Sequence, residues 1–154
     1  MSLPSLAAIP GLLLPLANRA EQSWRAVVAG LEGGHGLDNW SAERWSAFHR
    51  VSAASDFFIE QSLRDPLMLL ELVRAGELDR SFGPGELCAQ IAGAAQAAQT
   101  DDELGRALRR MRTRQQIRII WRDLNRQADL IETCRDLSDM ADASIDQPHR
   151  WLYH

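Results

Sequence analysis

At 154 residues, with 45% apolar and 25% charged side chains, the chain has the length of one domain and enough apolar content to bury a core. A formal net charge of −4 argues against a general nucleic-acid binder, because release of counterions from a phosphate backbone needs a net basic face. Two cysteines, Cys88 and Cys134, stand far apart and outside any CxxC spacing, so no disulfide framework is expected and a reducing cytoplasm is the expected compartment.

All seventeen basic residues are Arg and none is Lys. That matters physically, because Arg offers a planar fork to carboxylate or phosphate where Lys offers a point charge.

The apolar stretch 3–17 is interrupted by Pro4, Pro10 and Pro15, lacks a basic leader, and falls short of the ~20 residues a membrane span needs. Neither a signal peptide nor an anchor is expected. The first helix is expected over 18–31, with Trp24, Val27, Val28 and Leu31 as its apolar stripe, ended by the flexible Gly33-Gly34-His35-Gly36 loop. Ser41 reads as the N-cap of one long helix over 41–64, with Trp45, Phe48, Val51, Phe58, Ile59 and Leu63 as core candidates. Asp65-Pro66 breaks and restarts the helix, since Asp65 can cap and Pro66 at the first helical position loses no hydrogen bond. Leu67, Met68, Leu69, Leu70, Leu72 and Val73 are apolar nearly all round, which predicts burial on several sides, and Gly76 is the expected stop.

The turn at 81–85 leads into a helix rich in small residues, to about 98. Thr100 and Glu103 form a capping box for a helix to about 125, and the acids of the first turn suit its positive end. The last helix starts near Asp129, with Glu132 three residues on and Leu130, Cys134, Leu137, Ala141 and Ile145 on its apolar face; Pro148 is expected to kink or end it. Trp151, Leu152 and Tyr153 continue in an apolar vein, which reads as a polypeptide that goes on. Nothing alternates with a period of two. The fold expected is therefore all-α, an irregular bundle of about five to six helices with no sheet.

The helix over 100–125 carries Arg106, Arg110, Arg114, Arg118, Arg122 and Arg126 every four residues, with Arg109 and Arg112 added. A helix turns ~100° per residue, so such a row drifts ~40° per step and winds around the helix. Leu104, Leu108 and Met111 share one face, and Ile117, Ile120, Trp121 and Leu124 nearly the opposite one. The helix is expected either to pack on different partners at its two ends or to kink near Thr113. The row reads as a solvated basic face balanced by acidic neighbours, or as a surface for an anionic partner, with Arg110, Arg114, Arg118 and Arg122 as docking candidates. The last helix carries Asp129, Glu132, Asp136, Asp139, Asp142 and Asp146 opposite its apolar face. DxxD spacing can hold a metal-bound diphosphate when a second acidic helix faces it; with no such helix here, a solvated face or partners for the arginines is the reading.

No complete catalytic or metal site is legible. His35, His49, His149 and His154 lack HxxxH spacing, and His49 reads as a half-buried polar residue. Cys88 and Cys134 read as inert small hydrophobes in apolar helices. P-loop and GxSxG motifs are absent, and no Ser/His/Asp set can be assembled.

The order and spacing of Ser55-Asp56-Phe57-Phe58, Leu63-Arg64-Asp65-Pro66, Leu108-Arg109-Arg110-Met111-Arg112, Arg118-Ile119-Ile120-Trp121-Arg122-Asp123-Leu124, Ala128-Asp129-Leu130 and Trp151-Leu152-Tyr153 resembles the N-terminal helical segment of the bifunctional glutamine synthetase adenylyltransferase/adenylyl-removing enzymes. The resemblance runs from about Val51 to Tyr153. It implies a parent enzyme that attaches AMP from ATP to a tyrosine of glutamine synthetase and removes it by phosphorolysis, under control of a PII regulatory protein and glutamine. It also implies Mg²⁺ with ATP or phosphate, held by a Gly-Ser…Asp-x-Asp pattern that this chain lacks. On that reading, residues 1–40 are a variable lead-in with the first helix and the Gly-rich loop. Residues 41–154 are a helical domain stopping before a nucleotidyltransferase domain, and carry no catalytic, cofactor or metal residue of their own. The expected partners are glutamine synthetase, the PII protein and the enzyme's own catalytic domain, with no nucleic acid and no membrane. A free-standing helical interaction module is the alternative. A helix-turn-helix DNA binder is disfavoured by the net charge.

Overall fold

The computed structural model describes residues 10–31, 37 and 40–153. Among these, every regular element is helical: a 3₁₀ turn at Gly11–Leu13, then α1 (Leu14–Ala29), α2 (Ala42–Ala54), α3 (Asp56–Arg64), α4 (Pro66–Arg74), α5 (Glu86–Gln96), α6 (Asp101–Leu124) and α7 (Leu130–Leu152). The all-α expectation holds. The Gly33-Gly34-His35-Gly36 loop lies outside the described residues.

Most boundaries follow from local chemistry. The side chains of Ser41, Asp65, Thr100 and Asp129 accept from the backbone N–H of Arg44, Met68, Glu103 and Glu132 at 3.2, 3.2, 3.2 and 2.7 Å, each satisfying a donor that the first helical turn leaves open. The Glu103 carboxylate reaches back to the N–H of Gln99 at 2.8 Å, one residue beyond the reciprocal partner of an ideal capping box.

Three expectations are corrected. The helix expected over 41–64 is two helices: Ser55 adopts an extended backbone (φ −143°, ψ 105°) and its hydroxyl caps α3 by accepting from Phe58 N–H at 3.2 Å. This junction raises the helix count to seven. Pro148 does not end the last helix, which runs through it to Leu152. Most consequentially, the face of α7 expected to be core is exposed: Leu130, Leu137 and Ile145 are 77%, 44% and 71% accessible, whereas Asp136, Met140 and Ala143 are buried.

The interior is divided. One core gathers Trp24 and Val28 of α1, Phe48 and Val51 of α2, Phe58 of α3, Met68, Leu69, Leu70 and Leu72 of α4, and Ile117 and Trp121 of α6. Its spine is a chain of aromatic rings, Trp24–Phe48, Phe48–Phe58 and Phe58–Trp121, with centroids 6.0, 5.9 and 5.9 Å apart, separations at which ring edges and faces attract. The other core is smaller: Phe82, Leu87 and Ile91 around α5, Ile119 of α6, and Met140 and Ala143 of α7, with Leu108 and Met111 packed against it. The two apolar faces of α6 thus serve two sets of partners along one continuous helix, the first of the two expected alternatives.

Two helices end in the same way. After α4, Gly76 at φ 66° donates to Val73 O and Glu77 donates to Leu72 O, both at 3.1 Å. After α6, Arg126 at φ 55° donates to Asp123 O and Gln127 to Arg122 O, at 2.9 and 2.8 Å. Both are Schellman caps. The second holds an arginine in the left-handed conformation that glycine adopts without strain.

Candidate functional site

The segment between α4 and α5 runs inward, placing Glu77, Leu78 and Phe82 out of solvent. A buried loop leaves backbone carbonyls without water, and each needs a donor. Arg118 and Arg122 supply them. Arg118, 0% exposed, donates to Glu77 O at 3.1 Å and Arg80 O at 2.8 Å, and to Asp136 Oδ2 of α7 at 2.7 Å. Its guanidinium lies 3.5 Å from the Phe82 ring centroid. Arg122 donates to Leu78 O at 3.3 Å, Ser81 Oγ at 3.2 Å, Gln127 O at 3.0 Å and Glu132 Oε1 at 2.9 Å. A flat guanidinium with five N–H donors suits this task and a lysine does not. One turn earlier, Arg114 donates to Glu77 Oε2 at 2.9 Å, and Gln115 reaches Gln90 Oε1 of α5 at 2.8 Å.

The electrostatics explain the orientation of α7. Burial pushes the Arg118 guanidinium below its ordinary value, and the hydrogen bond it donates to Asp136 opposes that push. Asp136 is also held by the exposed Arg135, 3.0 Å from its other oxygen. A buried guanidinium without a carboxylate costs several kcal/mol, on the order of the apolar burial of two large side chains. Turning Asp136 and Glu132 of α7 inward to meet Arg118 and Arg122 therefore offsets leaving Leu130 and Ile145 in solvent, while Asp129, Asp142 and Asp146 stay exposed.

The four docking candidates occupy different environments. Arg114, Arg118 and Arg122 form an interior seam closed by Glu77, Asp136 and Glu132. They are not the solvated face that was one reading of the row. Arg110 lies outside, its side chain 44% exposed, bridging Asp65 and Glu71 at 3.3 and 3.1 Å. The acidic residues expected as partners for the arginines do serve so at Glu132 and Asp136. Their carboxylates are thereby neutralised and do not fit a Mg²⁺ site, and among the described residues no group of three or more His, Cys, Asp or Glu side chains could hold a metal ion. His49, half-buried as expected, pairs with Glu21 of α1. Cys88 is partly buried, and burial pushes its thiol up, helped by Asp139, Asp142 and Asp146. Cys134, expected to lie in an apolar face, is exposed. No helix among the described residues is long and apolar enough to cross a membrane.

Sequence reasoning missed that the row divides into buried and exposed arginines. The available signal was the apolar company of Arg118 and Arg122, flanked by Ile117, Ile119, Ile120 and Trp121, against the polar run around Arg112.

Fold and site together define a class: an all-helical module whose buried charges hold helices and a loop in register, and whose last helix presents apolar side chains outward. The chain belongs to the glutamate–ammonia ligase adenylyltransferase family, whose model matches residues 45–154. It is 61% identical over 99% of its length to the bifunctional glutamine synthetase adenylyltransferase/adenylyl-removing enzyme of Pseudomonas syringae pv. tomato, and 54% identical over 99% to that of Pseudomonas aeruginosa; it spans 16% of each. With the enzyme of that name from Thioalkalivibrio sulfidiphilus it shares 39% identity over 97% of its length, spanning 15% of that protein. No solved structure matches the chain.

Proposed function

We propose that this chain is the non-catalytic helical segment, N-terminal to the adenylyl-removing nucleotidyltransferase domain, of a longer cytoplasmic protein that adenylylates and deadenylylates glutamine synthetase. Its work is to support that domain and to help dock glutamine synthetase or the PII regulator. Mg²⁺ with ATP or phosphate is bound by the nucleotidyltransferase domains, outside this chain. The observation that carries the reading is the outward stripe of α7: Leu130 and Ile145, 77% and 71% exposed, on a helix that turns Asp136 and Glu132 inward to Arg118 and Arg122. Contiguous exposed apolar side chains mark a surface that another surface covers, and the relatives' polypeptide is far longer than this segment. Arg110 is the docking candidate that reaches solvent. Arg114, Arg118 and Arg122 act by holding the surface in shape.

The test pairs two measurements. Leu130→Glu with Ile145→Glu in the longer protein is expected to lower its melting temperature and its deadenylylation rate together. In the 154-residue chain alone the same changes leave the melting temperature unchanged or raised, because nothing there covers the stripe. An unchanged longer protein overturns the packing role. Arg110→Glu, which leaves the buried seam intact, is expected to weaken capture of glutamine synthetase or PII; equal capture removes Arg110 from the docking surface.

A further inference from the structure

The arginines of the interior seam have acidic partners, and so do Arg44 with Asp79 and Arg80 with Glu86. A second group behaves differently. Arg64, in the last turn of α3, and Arg109, Arg110 and Arg112 of α6 line one open cleft of about 550 Å³ between α3–α4 and α6. Asp65 is the one carboxylate in its lining, and Arg110 engages it. Arg64, Arg109 and Arg112 make no hydrogen bond or ion pair among the described residues. Three arginines without an acidic partner thus line a shared concavity in a chain of net charge −4.

The chemistry of the lining narrows the occupant. Guanidinium forks bind phosphoryl oxygens two at a time. Arg109 and Arg112, three residues apart, are neighbours on the helix surface, and Arg64 approaches from the other wall. Clefts of ~300–1,000 Å³ hold small molecules rather than single ions, so one phosphate leaves most of the space empty. The hydroxyl of Thr113 and the amides of Gln61 and Gln116, also in the lining, add neutral hydrogen-bonding groups and disfavour an apolar ligand. We infer that the cleft between α3–α4 and α6 is a binding site for a small polyanion bearing two or more phosphoryl groups, held by Arg64, Arg109 and Arg112. This site is distinct from the interior seam and does not depend on the enzymatic reading above.

The experiment is calorimetric titration of the full chain, without divalent metal, with inorganic phosphate, pyrophosphate and tripolyphosphate. One-site binding is expected, strengthening in that order, and weakened about tenfold by each of Arg64→Gln, Arg109→Gln and Arg112→Gln. These residues are exposed, so circular dichroism and melting are expected to be unchanged. Arg106→Gln, an exposed α6 arginine outside the cleft, is expected to bind as the parent does. Absence of binding at millimolar concentration overturns the site. So does an equal loss in Arg106→Gln, which would mean charge without a site. Hexaglutamate binding as tightly as tripolyphosphate through the same arginines also overturns it, making the cleft a groove for acidic protein segments.

Discussion

Truncating Asp136 tests whether the interior seam dictates how α7 lies. In Asp136→Ala, Arg118 keeps the carbonyls of Glu77 and Arg80 and the face of Phe82 but loses its carboxylate at 2.7 Å while remaining wholly out of solvent. Removing one member of a buried pair costs about 3–5 kcal/mol, a large share of the ~5–15 kcal/mol that holds a domain together. For a chain of this length the melting temperature is expected to fall on the order of 10 °C. Arg118→Lys should recover little, since an ammonium cannot serve two carbonyls and a carboxylate in one plane. Arg118→Met with Asp136→Leu should recover only part, because the Glu77 and Arg80 carbonyls lose their donor. Urea unfolding followed by circular dichroism measures each cost. A loss below ~1 kcal/mol for Asp136→Ala, the worth of a solvent-exposed pair, would refute the reasoning.

Arg126→Gly should stabilise the chain by about 1 kcal/mol in the same assay, by relieving the left-handed strain at φ 55°. The Glu86 carboxyl is held down to about 2 by its hydrogen bonds from the Arg80 side chain and the Gly83 N–H, against an ordinary value of 4.5. A carboxyl lowered on folding contributes stability above 4.5 and loses it as pH falls towards 2. Acid unfolding of Glu86→Gln should therefore lack that part of the pH dependence, and a carboxyl titration by NMR should place the Glu86 midpoint near 2. Cys134, exposed, should react with a disulfide reagent well before Cys88, whose thiol is partly buried and pushed up; equal rates would contradict the burial of Cys88.

The starts of α4, α6 and α7 were legible because their chemistry is local, whereas α1, which has no side-chain cap, begins at Leu14 rather than at 18. Asp65-Pro66, Thr100 with Glu103, and Asp129 with Glu132 each carry cap and first turn within four residues. The Ser55 junction carries an equally local cap, but apolar spacing continues across it from Val51 to Phe58, and the longer pattern hid the shorter one. The facing of α7 was not legible in its own residues. It presents an apolar stripe and an acidic stripe on opposite sides, and hydrophobicity alone puts the wrong one inside. The deciding groups, Arg118 and Arg122, sit on another helix, and their burial depends on a loop from a third part of the chain. A row with an arginine every four residues looks uniform in sequence, whereas packing buries Arg118 and leaves Arg110 in solvent. The polyanion cleft was invisible for a related reason: it pairs Arg64 with residues 45 and more positions away.

The placement of α6 has a geometric consequence. Ile117 and Trp121 abut one compartment and Ile119 the other, so through this stretch the helix is a partition with no free side. Its position is a compromise between two volumes: any displacement that relieves crowding on one side opens a void on the other, and close-packed interiors tolerate neither. Enlarging Ile119 and trimming Ile117 are therefore one adjustment, and side chains on the two faces of this partition can be resized only in compensating pairs.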